Sequence, residues 1–256
     1  MPSTCRFIFT TACVILFAII FVSTGLYSSS RQVQLTLLDE VMPPLDHMLS
    51  RMMAFRQWQD NALREYHARR HFHASNPRFN MDSTLDVLTV FQFPHSLVST
   101  VIKQEGSDFI REHVFEKILE AEMDLAENDQ ADIIPKNYDF TIMGKEDCQG
   151  RPCWRLDIKP KRKDKYLIDG DIWVDAADYA VSRVHGSPSK RLSIWVSKVE
   201  IDRRLCRIDG VWLADKIESS SNIRLAGNVG LQIEYIYDSV KVLGTGASKS
   251  SPRAGN

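Results

Sequence analysis

Three histidines, His67, His71 and His73, alternate with Tyr66, Ala68, Arg70, Phe72 and Ala74. On a strand the odd positions share a face, so His71 and His73 could approach one metal ion. Arg69 stands between them on that face, with Arg64 and Arg70 close by, and no cysteine or carboxylate completes a ligand spacing. A solvated strand face is the expectation, and no metal site or cofactor is implied. Asp169, Asp171, Asp175 and Asp178 do not follow the D-x-[DN]-x-[DN]-G order of a calcium loop, which leaves them as turn-forming aspartates. Cys148 and Cys153 flank Gln-Gly-Arg-Pro, a hairpin-type turn. They can pair across it in an oxidising compartment or remain buried thiols. The densest basic run, Lys159 to Lys165, is either a contact for anionic lipid heads or a solvated hairpin tip. G-x-S-x-G, H-E-x-x-H, Walker and strand-flanked G-x-G-x-x-G motifs are absent, so no catalytic residue is proposed and a non-enzyme is expected.

These groups must be held by a fold that the patterning outlines. The chain has 256 residues, 44% hydrophobic and 25% charged, with a formal net charge of −1, which excludes disorder and gives no basic excess for nucleic acid. Arg6 is the only charged residue before Arg31, and Phe7–Val22 is an apolar run followed by small residues. That layout fits a cleaved secretory signal peptide over residues 1–30. It fits equally an uncleaved signal anchor over residues 5–27, because a stretch this long can span a hydrocarbon core of about 30 Å. Either way the body, residues 31–243, is expected in an export compartment, with 244–256 as a polar, disordered tail.

Within the body, Leu45, Met48, Leu49, Met52, Met53 and Phe55 recur at helical spacing after Pro43-Pro44. Ser107 to Glu127 forms a second amphipathic helix, with Ile110, Val114, Phe115, Ile118, Leu119 and Met123 on its apolar side. Almost everything else reads as short strands with period-two alternation, about eleven in number, without a parallel βαβ rhythm. An α+β fold follows, an antiparallel sheet or barrel covered by two helices.

The segments EGSDFIREHVFEKILEAE (105–122), YDFTIMGKEDCQGRPCWRLDIKPKRKDKYLIDGDIWVDAADYAVSRVHGSPSK (138–190) and LQIEYIYDSV (231–240) resemble the LolA/LolB-like superfamily of lipoprotein carriers. They resemble most the uncharacterised bacterial branch of outer-membrane lipoprotein-sorting proteins, over about residues 45–242. The resemblance implies an incomplete antiparallel β-barrel with a helical lid, a periplasmic location, and lipid or lipoprotein acyl chains as ligand. It also implies an inner- or outer-membrane envelope partner, and it leaves open a tethered sensor module of the envelope-stress type. The apolar sets expected to line the cavity are Leu85, Val87 and Phe91 early, and Leu156, Ile158, Ile172, Val174, Leu231, Ile233 and Tyr235 late. Phe109 and Phe115 are placed on the covering helix. Which sheet face is concave, and whether the helices or a ligand fill it, stays open at the level of sequence.

Overall fold

The computed structural model describes residues 42–94, 96–126, 131–191, 196–224 and 227–244; the leader and the tail from residue 245 lie outside them. Helix α1 (Leu45–Ala62) leads directly into β1 (Leu63–Asn76), and a 3₁₀ turn at Pro77–Phe79 connects to β2 (Met81–Gln92) and β3 (Ser96–Gly106). Next come α2 (Asp108–Ile110), a π turn (Arg111–Phe115) and α3 (Glu116–Ala126). The second half is β4 (Tyr138–Cys148), β5 (Arg151–Pro160), β6 (Ile168–Asp175), β7 (Val181–Pro188), β8 (Val196–Ile208), β9 (Val211–Ile223) and β10 (Gly227–Val242). All belong to one antiparallel sheet of order β3-β2-β1-β10-β9-β8-β7-β6-β5-β4, open at β3 and β4. This is the expected α+β incomplete barrel.

The described residues form ten strands, close to the expected number of about eleven. The stretch around Ile223 is the end of β9, and the segment through Val199 continues unbroken to Ile208 as β8. The charges Asp202, Arg203 and Arg204 do not end that strand, because its backbone pairs on both sides. The break comes at Asp209-Gly210, whose φ angles of 50° and 92° are left-handed.

Period-two alternation carries through the register with one sense. The residues Arg155, Trp173, Arg183, Arg204, Lys216, Glu234, His71, Asp86 and Lys103 pair in succession across nine strands. Ion pairs tie this face together: Arg183 to Asp202 at 2.8 Å, Arg155 to Asp171 at 3.0 Å, and Arg204 to Asp202 at 3.1 Å. It is the solvated face. The opposite face carries the helices and three apolar cores. One joins Met48 and Met52 of α1 to Tyr138, Trp154, Leu156, Ile158, Ile172 and Val174. Another joins Ile110 and Phe115 to Phe72, Leu85, Val87 and Ile233. A third gathers Ala62, Leu63, Val211, Leu213, Tyr237 and Val240 where α1 turns into β1.

At that third core β10 leaves β9, pairing it only from Lys216 to Ile223. Side chains take over the freed backbone groups. Gln59 of α1 accepts from Trp212 N at 2.6 Å and donates to Trp212 O at 3.2 Å, and the Tyr237 hydroxyl donates to Ala214 O at 2.8 Å. A buried strand end without such partners would lose about 1–3 kcal/mol per orphaned group. This fixes α1 along the sheet.

The β6–β7 turn depends on Asp175, 1% exposed. Its carboxylate accepts from the backbone N–H groups of Ala177 and Asp178 at 3.0 and 2.8 Å and from Arg151 at 2.6 and 3.0 Å. Burial disfavours the charge, but Arg151 and the turn N–H groups prevail and hold the carboxyl below its ordinary value. Because the folded pKa is the lower one, the stabilisation is complete above the ordinary aspartate value of 3.8 and is lost as the pH falls through the folded value. Asp175→Asn should lower stability by about 1–2 kcal/mol at pH 7, discounted for the partly exposed Arg151. Urea unfolding as a function of pH checks this: the gap between wild type and variant closes on the acid side, and a gap constant down to pH 2 would contradict it.

Candidate functional site

Following the register across the helix-covered face gives one residue from each strand: Ile142, Leu156, Ile172, Val184, Arg203, Ile217, Ile233, Phe72, Leu85 and Gln104. Ile142 through Val184 belong to the core under α1. Ile217 through Leu85 belong to the core under the α2–α3 unit. Arg203 of β8 stands at the boundary, exposed, and has no hydrogen bond or ion pair among the described residues. A guanidinium cannot be roofed by apolar side chains without a partner. The helical cover therefore parts at β8.

A cleft of about 280 Å³ opens there, lined by Met52, Met53, Phe55, Arg56 and Gln59 of α1, by Ala131, Asp132 and Ile133, and by Val181, Val184, Arg203, Leu205 and Trp212 of the sheet. Arg56 pairs with Asp132 and, at 3.6 Å, with Asp60, so its charge is matched at the rim. Apart from these groups the walls are largely methionine, aromatic and aliphatic side chains, which suit an apolar chain of adaptable shape.

A second arginine on the same face is handled in the opposite way. Arg70 of β1 is 3% exposed; its Nη1 donates to Glu122 Oε2 of α3 at 2.6 Å and its Nη2 to Ser99 Oγ at 3.1 Å. Burial works against the Arg70 charge, and Glu122 more than restores it. The ring of Tyr235 lies 5.8 Å from the Arg70 guanidinium carbon and 6.4 Å from the Tyr237 ring, and Tyr66 packs edge-on to Tyr237 at 5.5 Å. Burial pushes the Tyr66 hydroxyl up to about 12 and raises Tyr235 and Tyr237 as well, so these phenols stay neutral donors and acceptors at physiological pH. Arg70 and Glu122 thus pin α3 to the sheet.

The residues expected to line a cavity fall into two groups. Leu85, Val87, Phe115, Leu231, Ile233 and Tyr235 come together under the α2–α3 unit, and Leu156, Ile158, Ile172 and Val174 come together under α1. In both places helix side chains occupy the space above them: Phe115 sits edge-on to Phe72 at 5.8 Å, and Met48 is fully buried. Phe91 lies apart, stacked on Tyr66 at the third core. Phe109 departs from expectation, being 62% exposed and stacked on His113 at 4.3 Å. The π turn is the reason, since it brings Ile110 and Phe115, five residues apart, onto the buried side and leaves Phe109 off it.

The chemistry-bearing residues noted in the sequence sit elsewhere. His67, His71 and His73 lie on the solvated face, each beside a carboxylate: Glu65 at 2.9 Å, Asp86 at 2.6 Å and Asp82 at 2.7 Å. No group of three or more histidine, cysteine or carboxylate side chains among the described residues is placed to hold a metal. Asp169 and Asp171 engage Lys159 and Arg155, and Asp178 accepts from Arg207 and the Trp212 indole. The basic run is largely tied down, with Lys159 on Asp169, Lys161 on the Pro135 carbonyl and Arg162 on Asn137. Cys148 and Cys153 are free, buried thiols packed with Trp173, and the Ser182 hydroxyl lies 3.6 and 3.4 Å from their sulfurs. Cys148 pairs with Arg151 and Cys153 with Glu146, so the two are diagonal rather than directly opposite. Burial pushes the Cys153 thiol up to about 12, which removes it as a nucleophile. Arg203 and Glu122 went unnoticed in the sequence, and Arg70 was noted only as a neighbour of the histidines; the available signal was a charge at an even, inward position of a strand, visible for Arg70 beside Phe72.

No family model matches the chain. No curated protein matches it in sequence. Solved structures of LolA-superfamily type are among its neighbours. A DUF1329 family protein from Desulfovibrio piger is 12% identical, with 80% of this chain and 96% of that chain covered and a TM-score of 0.38. An outer membrane lipoprotein-sorting protein domain from Vibrio parahaemolyticus is also 12% identical, over 78% and 93% of the two chains, with a TM-score of 0.40. A LolA superfamily protein from Nitrosomonas europaea is 10% identical, over 80% and 96%, with a TM-score of 0.35.

The Arg70–Glu122 pair yields a double-mutant test. Removing Glu122 strands the buried Arg70 charge, whereas removing Arg70 leaves Glu122 partly exposed, so Glu122→Leu alone should cost about 2–4 kcal/mol and Arg70→Met less, while the double variant should recover most of the Glu122→Leu loss. Denaturant midpoints of the four proteins check this; strictly additive losses would show that the pair does not hold α3.

Proposed function

We propose that this protein is a non-enzymatic, periplasmic carrier of lipid or lipoprotein acyl chains, serving lipoprotein sorting or envelope lipid traffic. It acts either as a soluble body after signal cleavage or from a tether formed by residues 5–27. The observation that carries the reading is the parted cover: two helix-roofed cores on one sheet face, with a cleft of largely apolar walls opening at β8 beside the core under α1. An apolar concavity left wet is unfavourable, and about 0.8 kcal/mol per buried methylene gives a chain reason to enter it. At about 280 Å³ the cleft falls just below the usual range of ligand sites, about 300 to 1,000 Å³, and so suits one chain rather than several. No helix among the described residues is long and apolar enough to cross a membrane, so any tether falls to the leader.

A second reading, a membrane-tethered sensor or regulatory module, has one observation in its favour. Strand β3 is a free sheet edge, and Val98, Val101 and Ile102 on it are all more than half exposed. Such an edge is suited to accept a strand from a protein partner. Co-purified lipid supports the carrier, and a stable complex with a membrane regulator supports the sensor.

Titration of residues 31–256 with a fluorescent fatty acid tests the carrier directly. Saturable binding of one molecule per chain is expected. Leu205→Trp, which fills the cleft from β8, should weaken it by about 2 kcal/mol, about thirtyfold, with an unchanged circular dichroism spectrum. Absence of saturable binding by the wild type, or binding indifferent to Leu205→Trp, would refute it.

A further inference from the structure

We infer that Arg203 is a head-group site, and that the ligand of the cleft is a single-chain amphiphile whose anionic head, a carboxylate or a phosphate, pairs with this guanidinium while its chain lies against Met52, Met53, Val184 and Leu205. The inference rests on the carrier reading and adds the class of ligand.

Charge balance on the helix-covered face singles out Arg203. Arg56 at the cleft rim is matched by Asp132 and Asp60. Arg70 is matched by Glu122. Arg203 lines the same cleft as Arg56 and has no hydrogen bond or ion pair among the described residues. Its neighbours along the row, Val184 and Ile217, have no polar side-chain atom to offer it. The tyrosines that feel its charge, Tyr66, Tyr235 and Tyr237, stay neutral because burial raises all three, so no phenolate competes for it.

A planar guanidinium presents paired N–H donors that fit a carboxylate or phosphate in bidentate fashion. Beside apolar walls such a bond is stronger than in water. A neutral chain alone would fill the cleft and leave the arginine desolvated without a partner, which opposes binding. An inorganic anion alone would meet the arginine and leave the apolar walls wet. An anionic amphiphile satisfies both at once.

Photo-crosslinking separates these cases. The full chain is placed in phosphatidylcholine nanodiscs, whose zwitterionic lipid adds no anionic competitor. It is irradiated with dodecanoic acid, dodecyl phosphate or dodecanol, each carrying a diazirine on the chain, and labelled peptides are mapped. The acid and the phosphate are expected to label peptides containing Met52, Met53 and Leu205 at least about tenfold more than the alcohol, the ratio a charge-assisted hydrogen bond supplies. Arg203→Met should bring acid labelling down to the alcohol level and leave alcohol labelling as it is, which also shows that the variant is folded. The wild-type acid-to-alcohol ratio decides the question without any variant. Equal labelling by acid and alcohol would overturn the head-group assignment and leave the carrier intact. No cleft labelling by any probe would overturn both. Complete displacement of the acid by millimolar inorganic phosphate would overturn the amphiphile in favour of a plain anion site.

Discussion

A charge in the middle of an apolar sheet face has to be either paired or left in contact with water, and this requirement organises the protein. The transverse row from Ile142 to Leu85 is apolar in every strand but β8, where Arg203 stands. Helices can seal the row on either side of it but not over it. The core under α1 and the core under the α2–α3 unit stay separate, and a cleft opens at β8 beside the first of them.

Arg70 shows what the alternative looks like. It lies on the same face, next to Phe72, and is buried because Glu122 comes down from α3 to meet it. The two arginines therefore define where the helical cover is fixed and where it stops. The opposite face obeys the same rule by another route, spreading its arginines, lysines and carboxylates into a solvated ladder in which most charges have a cross-strand neighbour. Such exposed pairs contribute little each to stability. The free thiols and the histidines sit within or beside the ladder, far from any role in the cleft.

Much of this was legible in the sequence because periodicity is local. The alternation Tyr66 to Ala74 assigned both faces of β1 correctly, the Met48–Met52 spacing gave α1, and the turn-forming reading of Asp175 agrees with the hydrogen bonds it makes. What could not be read depends on pairing between distant segments. Asp202-Arg203-Arg204 looks like a surface break, and only the register to Val184 and Ile217 shows Arg203 inside a row. Phe109 reads as a helix-face residue until the π turn shifts the buried positions. The candidate apolar residues were identified as a class, but their division into two filled cores follows from the helix docking that Glu122 and Gln59 impose. The leader and tail readings lie outside the described residues.

The central claim is that the cleft at β8 holds one acyl amphiphile. Native mass spectrometry of the full chain, released without detergent from the membranes of cells that produce it, tests this most directly and reports leader cleavage in the same spectrum. One single-chain anionic lipid per protein molecule is expected, lost when the protein carries Leu205→Trp. A chain that appears free of lipid under gentle release, with its fold intact, would contradict a ligand-holding cleft.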